Sequence, residues 1–153
     1  MPINFYCKFS SIIFLCFSLS YNALAVDFVS VKAKKAILYE GPSKATKKEL
    51  IITEGYPLLV MVKLKEWLKV KDHVGQINWI RTADTSPERF VMTIRLGVPI
   101  YNQASSSSNK LADVDDKVTL KLSSPLVTDG WVNVKSEPNE LNGFVSANDI
   151  WGI

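Results

Sequence analysis

One β-hairpin pattern, which occurs twice in the chain, constrains the fold more than any other feature of the sequence. The first copy runs from Glu66 to Arg81, where large apolar and charged residues alternate before a turn that contains Gly75. Such alternation is typical of a half-buried strand, and glycine adopts the positive φ that a short connection often needs. About 64 residues later, a similar pattern covers residues 130–135 and 142–145. Two equivalent hairpins indicate an internal repeat.

The segments around both hairpins are short, apolar and separated by turn residues, with almost no helical periodicity. Strands are predicted over residues 28–32, 36–39, 50–53 and 58–64, and again over 90–95, 99–101 and 118–122. A polar linker over residues 84–87 marks the boundary between the repeats. The pattern predicts an all-β protein of two tandem small β-barrels, residues 26–85 and 86–153. Since about 60 residues is near the lower limit for a core that folds alone, we expect a shared interface.

The first 25 residues are predicted to be a signal peptide. Their apolar run, residues 9–21, is shorter than the roughly 20 residues that a membrane-spanning helix needs. Ala23 and Ala25 supply small side chains at the two positions that signal peptidase reads. Lipidation at Cys16 is not expected, because Leu15 precedes it where a small residue is needed. We therefore expect cleavage after Ala25 and release into the periplasm.

The remaining residues offer little for catalysis. Cys7 and Cys16 are lost with the signal peptide, and His73 is the only histidine in the chain. His73 is expected to be an exposed turn residue, and a zinc site would usually need several histidine or cysteine ligands. The acidic cluster of Asp113, Asp115 and Asp116 lacks the central glycine and final glutamate of a calcium-binding loop. We expect no enzymatic activity, no cofactor and no metal.

Charge is distributed unevenly between the repeats. Residues 26–85 carry 11 basic and 7 acidic side chains, whereas residues 86–153 carry 6 and 8. The basic excess fits a solvated face, and it also fits attraction to an anionic envelope polymer or membrane surface. Nucleic acid is not expected as a partner in an exported compartment.

Aromatic residues are the remaining candidates for a binding site. Strand alternation places Trp67, Lys69 and Lys71 on the face opposite Leu68 and Val70, and Trp131 occupies the same position in the second hairpin. Each tryptophan either packs against its own repeat or the repeat interface, or lines an exposed groove suited to a peptide or sugar. The candidate ligand-binding residues are Tyr39, Trp67, Lys69, Lys71, Tyr101 and Trp131. Trp79 and Phe144 are expected to pack in the cores.

The order of the motifs resembles the bacterial Src-homology-3-like domain family. The resemblance covers residues 36–43, residues 55–60, Trp67 to Val70, Gly75 and Trp79-Ile80, and in the second copy residues 130–134 and 143–145. The family's usual motifs are an Asn-Val-Arg-x-Gly-Pro-Ser turn, a Gly-Trp-x-x-Val strand and a closing Gly-Trp-Val. This sequence departs from them at Tyr39, Glu66 and Asn78, and its second copy lacks Gly-Pro-Ser.

The resemblance implies a small exported protein with two tandem domains that binds a cell-wall peptide or a periplasmic protein partner. The alternative is a structural or assembly protein whose aromatic faces pair the repeats or form a dimer, with no small ligand. Because a fold does not by itself define a function, both remain open at this point.

Overall fold

The structure is a computed structural model that describes residues 27–136 and 140–153. In this part of the chain the strands are β1 Phe28–Val31, β2 Lys35–Tyr39, β3 Lys48–Thr53, β4 Pro57–Lys63, β5 Trp67–Lys71, β6 Ile77–Arg81, β7 Thr85–Ser86, β8 Phe90–Thr93, β9 Val98–Tyr101, β10 Lys110–Val114, β11 Thr119–Thr128, β12 Trp131–Ser136, β13 Leu141–Ser146 and β14 Ile150–Trp151. Short 3₁₀ turns cover Thr82–Asp84 and Ala147–Asp149. The predicted signal peptide, with Ala23 and Ala25, lies outside the described residues, so its cleavage stays a prediction.

Strands β5 and β6 form the first predicted hairpin. They are antiparallel, and Trp67 lies opposite Arg81 at the open end. The buried carboxylate of Asp72 holds the turn, because its Oδ1 accepts hydrogen bonds from the backbone N–H groups of Val74 (3.0 Å) and Gln76 (2.8 Å). Gly75 has a φ of +87°. An aspartate that bonds the backbone two residues ahead is a common way to fix such a turn.

The described residues form two antiparallel sheets of seven strands with the same order of strands. The first has the order β3-β2-β6-β5-β4-β1-β7, and the second has β10-β9-β13-β12-β11-β8-β14. Each strand of the second sheet is therefore the counterpart of one strand of the first. The expected all-β architecture is confirmed. Within the described residues the two edge strands of each sheet do not pair with each other, so each sheet is open and not a closed barrel.

Each sheet has its own apolar core. The first core comprises Val31, Ala36, Leu38, Ile52, Leu58, Leu68, Val70 and Ile80. The second comprises Val91, Val98, Ile100, Leu120, Val132, Val134, Val145 and Ile150. Most of these residues are aliphatic and many are β-branched, which suits packing on the inner face of a pleated sheet.

The loop after β2 and the loop after β9 share one conformation, although only the first contains Gly-Pro-Ser. In the first, the hydroxyl of Thr46 donates to the carbonyl of Ser43 at 2.7 Å. In the second, the hydroxyl of Ser108 donates to the carbonyl of Ser105 at 2.8 Å. A hydroxyl side chain three residues after a serine closes both loops, so glycine and proline are not needed for this conformation.

The two sheets contact each other through residues near the ends of the described chain and through the segment at residues 89–90. The rings of Phe28 in β1 and Trp151 in β14 meet edge to face, with centroids 5.3 Å apart. Arg89 stacks on Phe28 at 5.4 Å and donates from Nη2 to the carbonyl of Gly152 at 2.7 Å. Ser30 accepts a 3.1 Å hydrogen bond from the backbone of the second sheet. The repeats therefore share an interface, as their size led us to expect.

Candidate binding clefts

The outer face of the first hairpin carries the predicted site residues of β5. Leu68 and Val70 are buried in the core, whereas Trp67, Lys69 and Lys71 are partly exposed on the opposite face. Trp131 is likewise partly exposed in β12, between turn residues and the buried Val132. The alternation expected from the sequence is therefore present in both repeats.

Each of these tryptophans packs against a tyrosine of its own repeat. Tyr39 and Trp67 meet edge to face, with ring centroids 5.3 Å apart and an interplanar angle of 89°. Tyr101 and Trp131 form the same pair at 5.6 Å and 87°. Edge-to-face contact places the positive ring edge against the negative ring face. These ring contacts lie within single repeats; the aromatic pair that joins the repeats is Phe28 and Trp151.

A cleft of about 620 Å³ opens beside Trp67, and we call it the Trp67 cleft. Its walls are the loop after β2, the hairpin end between β4 and β5, and the 3₁₀ turn after β6. The lining residues are Pro42, Ser43, Lys44, Lys65, Glu66, Trp67, Arg81, Thr82 and Ala83. Tyr39, which is only 6% exposed, packs against the ring of Trp67.

Arg81 is held rigidly at this cleft. Its Nε and Nη2 donate to the two carboxylate oxygens of Asp84, at 2.8 and 2.7 Å. Such a two-point contact fixes the plane of the guanidinium group. The cleft therefore has an aromatic wall, a fixed cation and two lysines at its rim.

A smaller cleft of about 220 Å³ lies at the equivalent place in the second repeat, and we call it the Trp131 cleft. It is lined by Pro99, Tyr101, Ser106, Trp131, Ser146 and Asp149. A separate recess of about 360 Å³ lies beside the same tryptophan and is lined in part by Phe144 and Asn133.

Lys69 and Lys71, which the sequence placed with Trp67, do not line the Trp67 cleft. The ammonium group of Lys69 lies 6.0 Å from the ring of Trp79, and that of Lys71 lies 6.0 Å from the ring of Trp151. The cations of the cleft are instead Lys44, Lys65 and Arg81, which sequence reasoning did not select. The expected turn did not identify Arg81, because a four-residue turn over residues 72–75 would set Ile80 opposite Trp67. In the structure Asp72 lies opposite Gln76, and this register sets Arg81 there.

Trp79 and Phe144 do not pack in the cores, and that expectation was wrong. Trp79 pairs with Lys69 across the hairpin, so both side chains lie on the outer face of the sheet. The residues of β6 that are buried are Asn78 and Ile80. Phe144 occupies the same register in the second sheet, opposite Asn133, and is also only partly buried.

His73 is not an exposed turn residue, as the sequence had led us to expect. It is partly buried, and its Nδ1 lies 2.7 Å from the hydroxyl of Tyr56. Burial, together with the negative charge of Asp72, raises the pKa of Tyr56 to about 12. Both residues line a groove of about 330 Å³ between the repeats, which also contains Leu50, Ile51, Met92 and Lys117.

The described residues contain no group of three or more His, Cys, Asp or Glu side chains placed to hold a metal ion. No helix in residues 27–136 or 140–153 is long and apolar enough to span a bilayer.

The open antiparallel sheet with a cleft between its loop and its hairpin defines a small all-β domain of the SH3 class. Residues 32–87 match the family model of the bacterial SH3 domain. The match covers about a third of the chain and ends where the first sheet ends. The second sheet repeats the order of strands, but it lies outside the matched residues.

Similar solved structures include NlpC2 from Trichomonas vaginalis, at 10% sequence identity and a TM-score of 0.38, with 82% of this chain and 48% of that chain covered. A NlpC/P60 family protein from Bacillus cereus shows 17% identity and a TM-score of 0.38, with 81% and 55% covered. The chain thus spans about half the length of these proteins. No curated protein matches the sequence.

Proposed function

We propose that the protein is an exported, non-enzymatic binding module of the bacterial cell envelope. Its ligand is a cell-wall peptide or a periplasmic protein partner, held in the Trp67 cleft. The observation that carries the proposal is the partly exposed Trp67 ring on the wall of a cleft of about 620 Å³. Ligand-binding clefts commonly have volumes of roughly 300–1,000 Å³, so this one can hold a short stretch of peptide.

The family supports a role in binding, because SH3 domains are protein-interaction modules. The position of the cleft supports it as well. Its walls come from a loop, a hairpin end and a 3₁₀ turn, which are segments that a rigid sheet holds in place. Binding residues are often found on loops that a rigid scaffold positions.

The placement of the single histidine supports a non-enzymatic role. His73 contacts Tyr56 in the groove between the repeats, whereas Ser43 lies in the Trp67 cleft. A serine nucleophile needs a base within hydrogen-bonding distance, and this arrangement does not bring the two together. Incubation with purified sacculi is accordingly expected to release no soluble fragments.

The direct test is the substitution Trp67→Ala, measured by co-sedimentation with purified sacculi. Because Trp67 is only partly buried, the variant is expected to stay folded while it loses ligand contact. Removal of a central aromatic anchor costs about 2 kcal/mol of binding, which corresponds to a roughly thirtyfold weaker affinity.

Trp79→Ala is the matched control, because Trp79 is a tryptophan on the same outer face that does not line the cleft. It is expected to bind sacculi as the unaltered protein does. Circular dichroism reports whether each variant is folded. A folded Trp67→Ala variant that pellets normally would show that the cleft is not the binding site.

A specific observation also favours the structural alternative, an assembly role without a small ligand. Edge strand β3 exposes Leu50 (40%) and Ile51 (65%). An apolar edge strand can pair with another chain. The assembly role would replace the binding role if the protein does not bind sacculi and forms a dimer. The variant Ile51→Lys should then be monomeric in analytical ultracentrifugation.

A further inference from the structure

The two tryptophan clefts lie at equivalent places in the two sheets, and backbone hydrogen bonds establish the correspondence. The N–H of Thr82 donates to the carbonyl of Glu66 at 2.9 Å, and the N–H of Ala147 donates to that of Gly130 at 2.8 Å. Trp67 and Trp131 each follow the accepting residue directly. The residues around the two clefts can therefore be compared one by one.

The basic residues of the first cleft have no basic counterparts in the second. Arg81, opposite Trp67, corresponds to Ser146, opposite Trp131. Lys65, two residues before Trp67, corresponds to Asp129. In the first loop Lys44 follows Ser43, whereas in the second loop Ser106 follows Ser105.

The ion pairs at the two clefts make the difference in charge larger. In the first repeat, Asp84 neutralises part of the charge of Arg81. Among the ion pairs of the described residues, none involves Lys44 or Lys65, so both ammonium groups remain available at the rim. In the second repeat, Arg95 pairs with Asp149, the acid of the Trp131 cleft. Glu66 also lines the first cleft, so its three cations exceed the two nearby acids, Glu66 and Asp84, by one. The first cleft is therefore weakly positive, and the second is close to neutral.

We infer that the Trp67 cleft recognises a carboxylate-bearing peptide, with Lys44 and Lys65 contacting the carboxylate and Trp67 contacting the adjoining apolar part. The Trp131 cleft does not share this preference. The inference rests on the proposed function and adds the chemical class of the ligand. An anionic group is favoured by charge complementarity, since contacts between an ammonium and a carboxylate are stronger than neutral hydrogen bonds.

A peptide fits this site better than a flat anionic surface does. The two lysines stand on different walls, one in the loop after β2 and one at the hairpin end, and the tryptophan lines the same cleft. A chain that enters between these walls can contact both lysines and the ring, whereas a membrane surface would meet the lysines alone.

The test compares capture by untreated sacculi with capture by sacculi whose carboxylates have been converted to amides with carbodiimide and methylamine. The unaltered protein is expected to bind the amidated material about tenfold more weakly, which is the size expected for loss of a charge-assisted contact. The double variant Lys44→Gln, Lys65→Gln is expected to lose a similar factor on untreated sacculi. It should show little further loss on amidated sacculi, because the two changes remove the same contact.

The matched control is the double variant Lys34→Gln, Lys35→Gln. It removes the same charge from the same repeat, at exposed positions that do not line the cleft. It is expected to bind both materials as the unaltered protein does. If both double variants lose binding equally, the attraction is general and not a property of the cleft, and the inference is wrong.

The remaining outcomes separate this inference from the proposed function. Equal capture of untreated and amidated sacculi would overturn the inference and leave the binding role intact. Capture of neither material would overturn the inference and also the cell-wall peptide as the ligand of the proposed function. Lysine-dependent binding to phosphatidylglycerol vesicles that matches binding to sacculi would identify an anionic lipid surface as the ligand and would contradict the peptide.

Discussion

The interface between the repeats can be tested at Gly152, which follows the last strand. Gly152 has a φ of +118°. An added Cβ atom would lie 2.8 Å from the carbonyl oxygen of Phe90 and 3.0 Å from the Cβ atom of Pro57. Pro57 belongs to the first sheet and Phe90 to the second, so the substitution Gly152→Ala forces the two sheets apart.

Two other glycines separate backbone strain from steric contact. Gly75 and Gly130 also have positive φ values, +87° and +79°, but a Cβ atom at either would meet no atom within 4 Å. Alanine at these positions is expected to cost about 1 kcal/mol of stability through strain alone. At Gly152 a similar or larger strain adds to overpacking, which typically costs about 1–3 kcal/mol. We therefore expect Gly152→Ala to lower the free energy of unfolding by about 3 kcal/mol.

The measurement is urea unfolding, followed by circular dichroism and by tryptophan fluorescence. The unaltered protein is expected to unfold in one joint transition. Gly152→Ala should unfold at a lower urea concentration than either control, and its two signals should no longer coincide, because the sheets are less strongly coupled. If Gly152→Ala is no less stable than Gly75→Ala and Gly130→Ala, the end of the chain does not pack between the sheets.

Three further predictions follow from particular residues. Ile80→Ala removes a fully buried side chain of the first core and should lower the free energy of unfolding, measured in urea, by about 2–5 kcal/mol. Trp79→Ala, at the neighbouring position on the outer face, should lower it clearly less. Similar losses would contradict the register of β6. Because the pKa of Tyr56 is raised to about 12, the folded state keeps this proton where the unfolded state, with a pKa near 10, loses it. Stability should therefore fall as pH rises from about 10 towards 12, and Tyr56→Phe should show a smaller fall over that range; an unchanged slope would show that burial does not hold the proton. The intact mass of the exported protein should correspond to residues 26–153, and a full-length species in the membrane fraction would contradict cleavage after Ala25.

The failed prediction for Trp79 shows where local patterns stop being reliable. A tryptophan beside isoleucine and a polar asparagine was expected to be the core residue, because large apolar side chains are usually buried. In β6 the register set by the Asp72 turn places Asn78 and Ile80 inwards, so Trp79 faces out. A four-residue turn over residues 72–75 would pair Trp79 with the buried Leu68, whereas the observed hairpin pairs Asp72 with Gln76 and Leu68 with Ile80. A difference of one residue in the turn therefore reverses the face of every residue in β6.

Most strands, the repeat and the faces of β5 and β12 could be predicted from the sequence, because alternation and turn chemistry are local properties that a short stretch of chain encodes. Strands β7, β10 and β14 were not predicted. The sequence also indicated the bacterial SH3 domain through the order of short motifs, and residues 32–87 confirm it. Which residues share a cleft is known only from the folded chain. Lys44, Lys65 and Arg81 are distant in the chain and are brought together by the pairing of β2 with β6 and of β5 with β6. The contact between Phe28 and Trp151 likewise joins the two ends of the described chain. Contacts of this kind leave no local pattern, because they depend on how complete sheets pack.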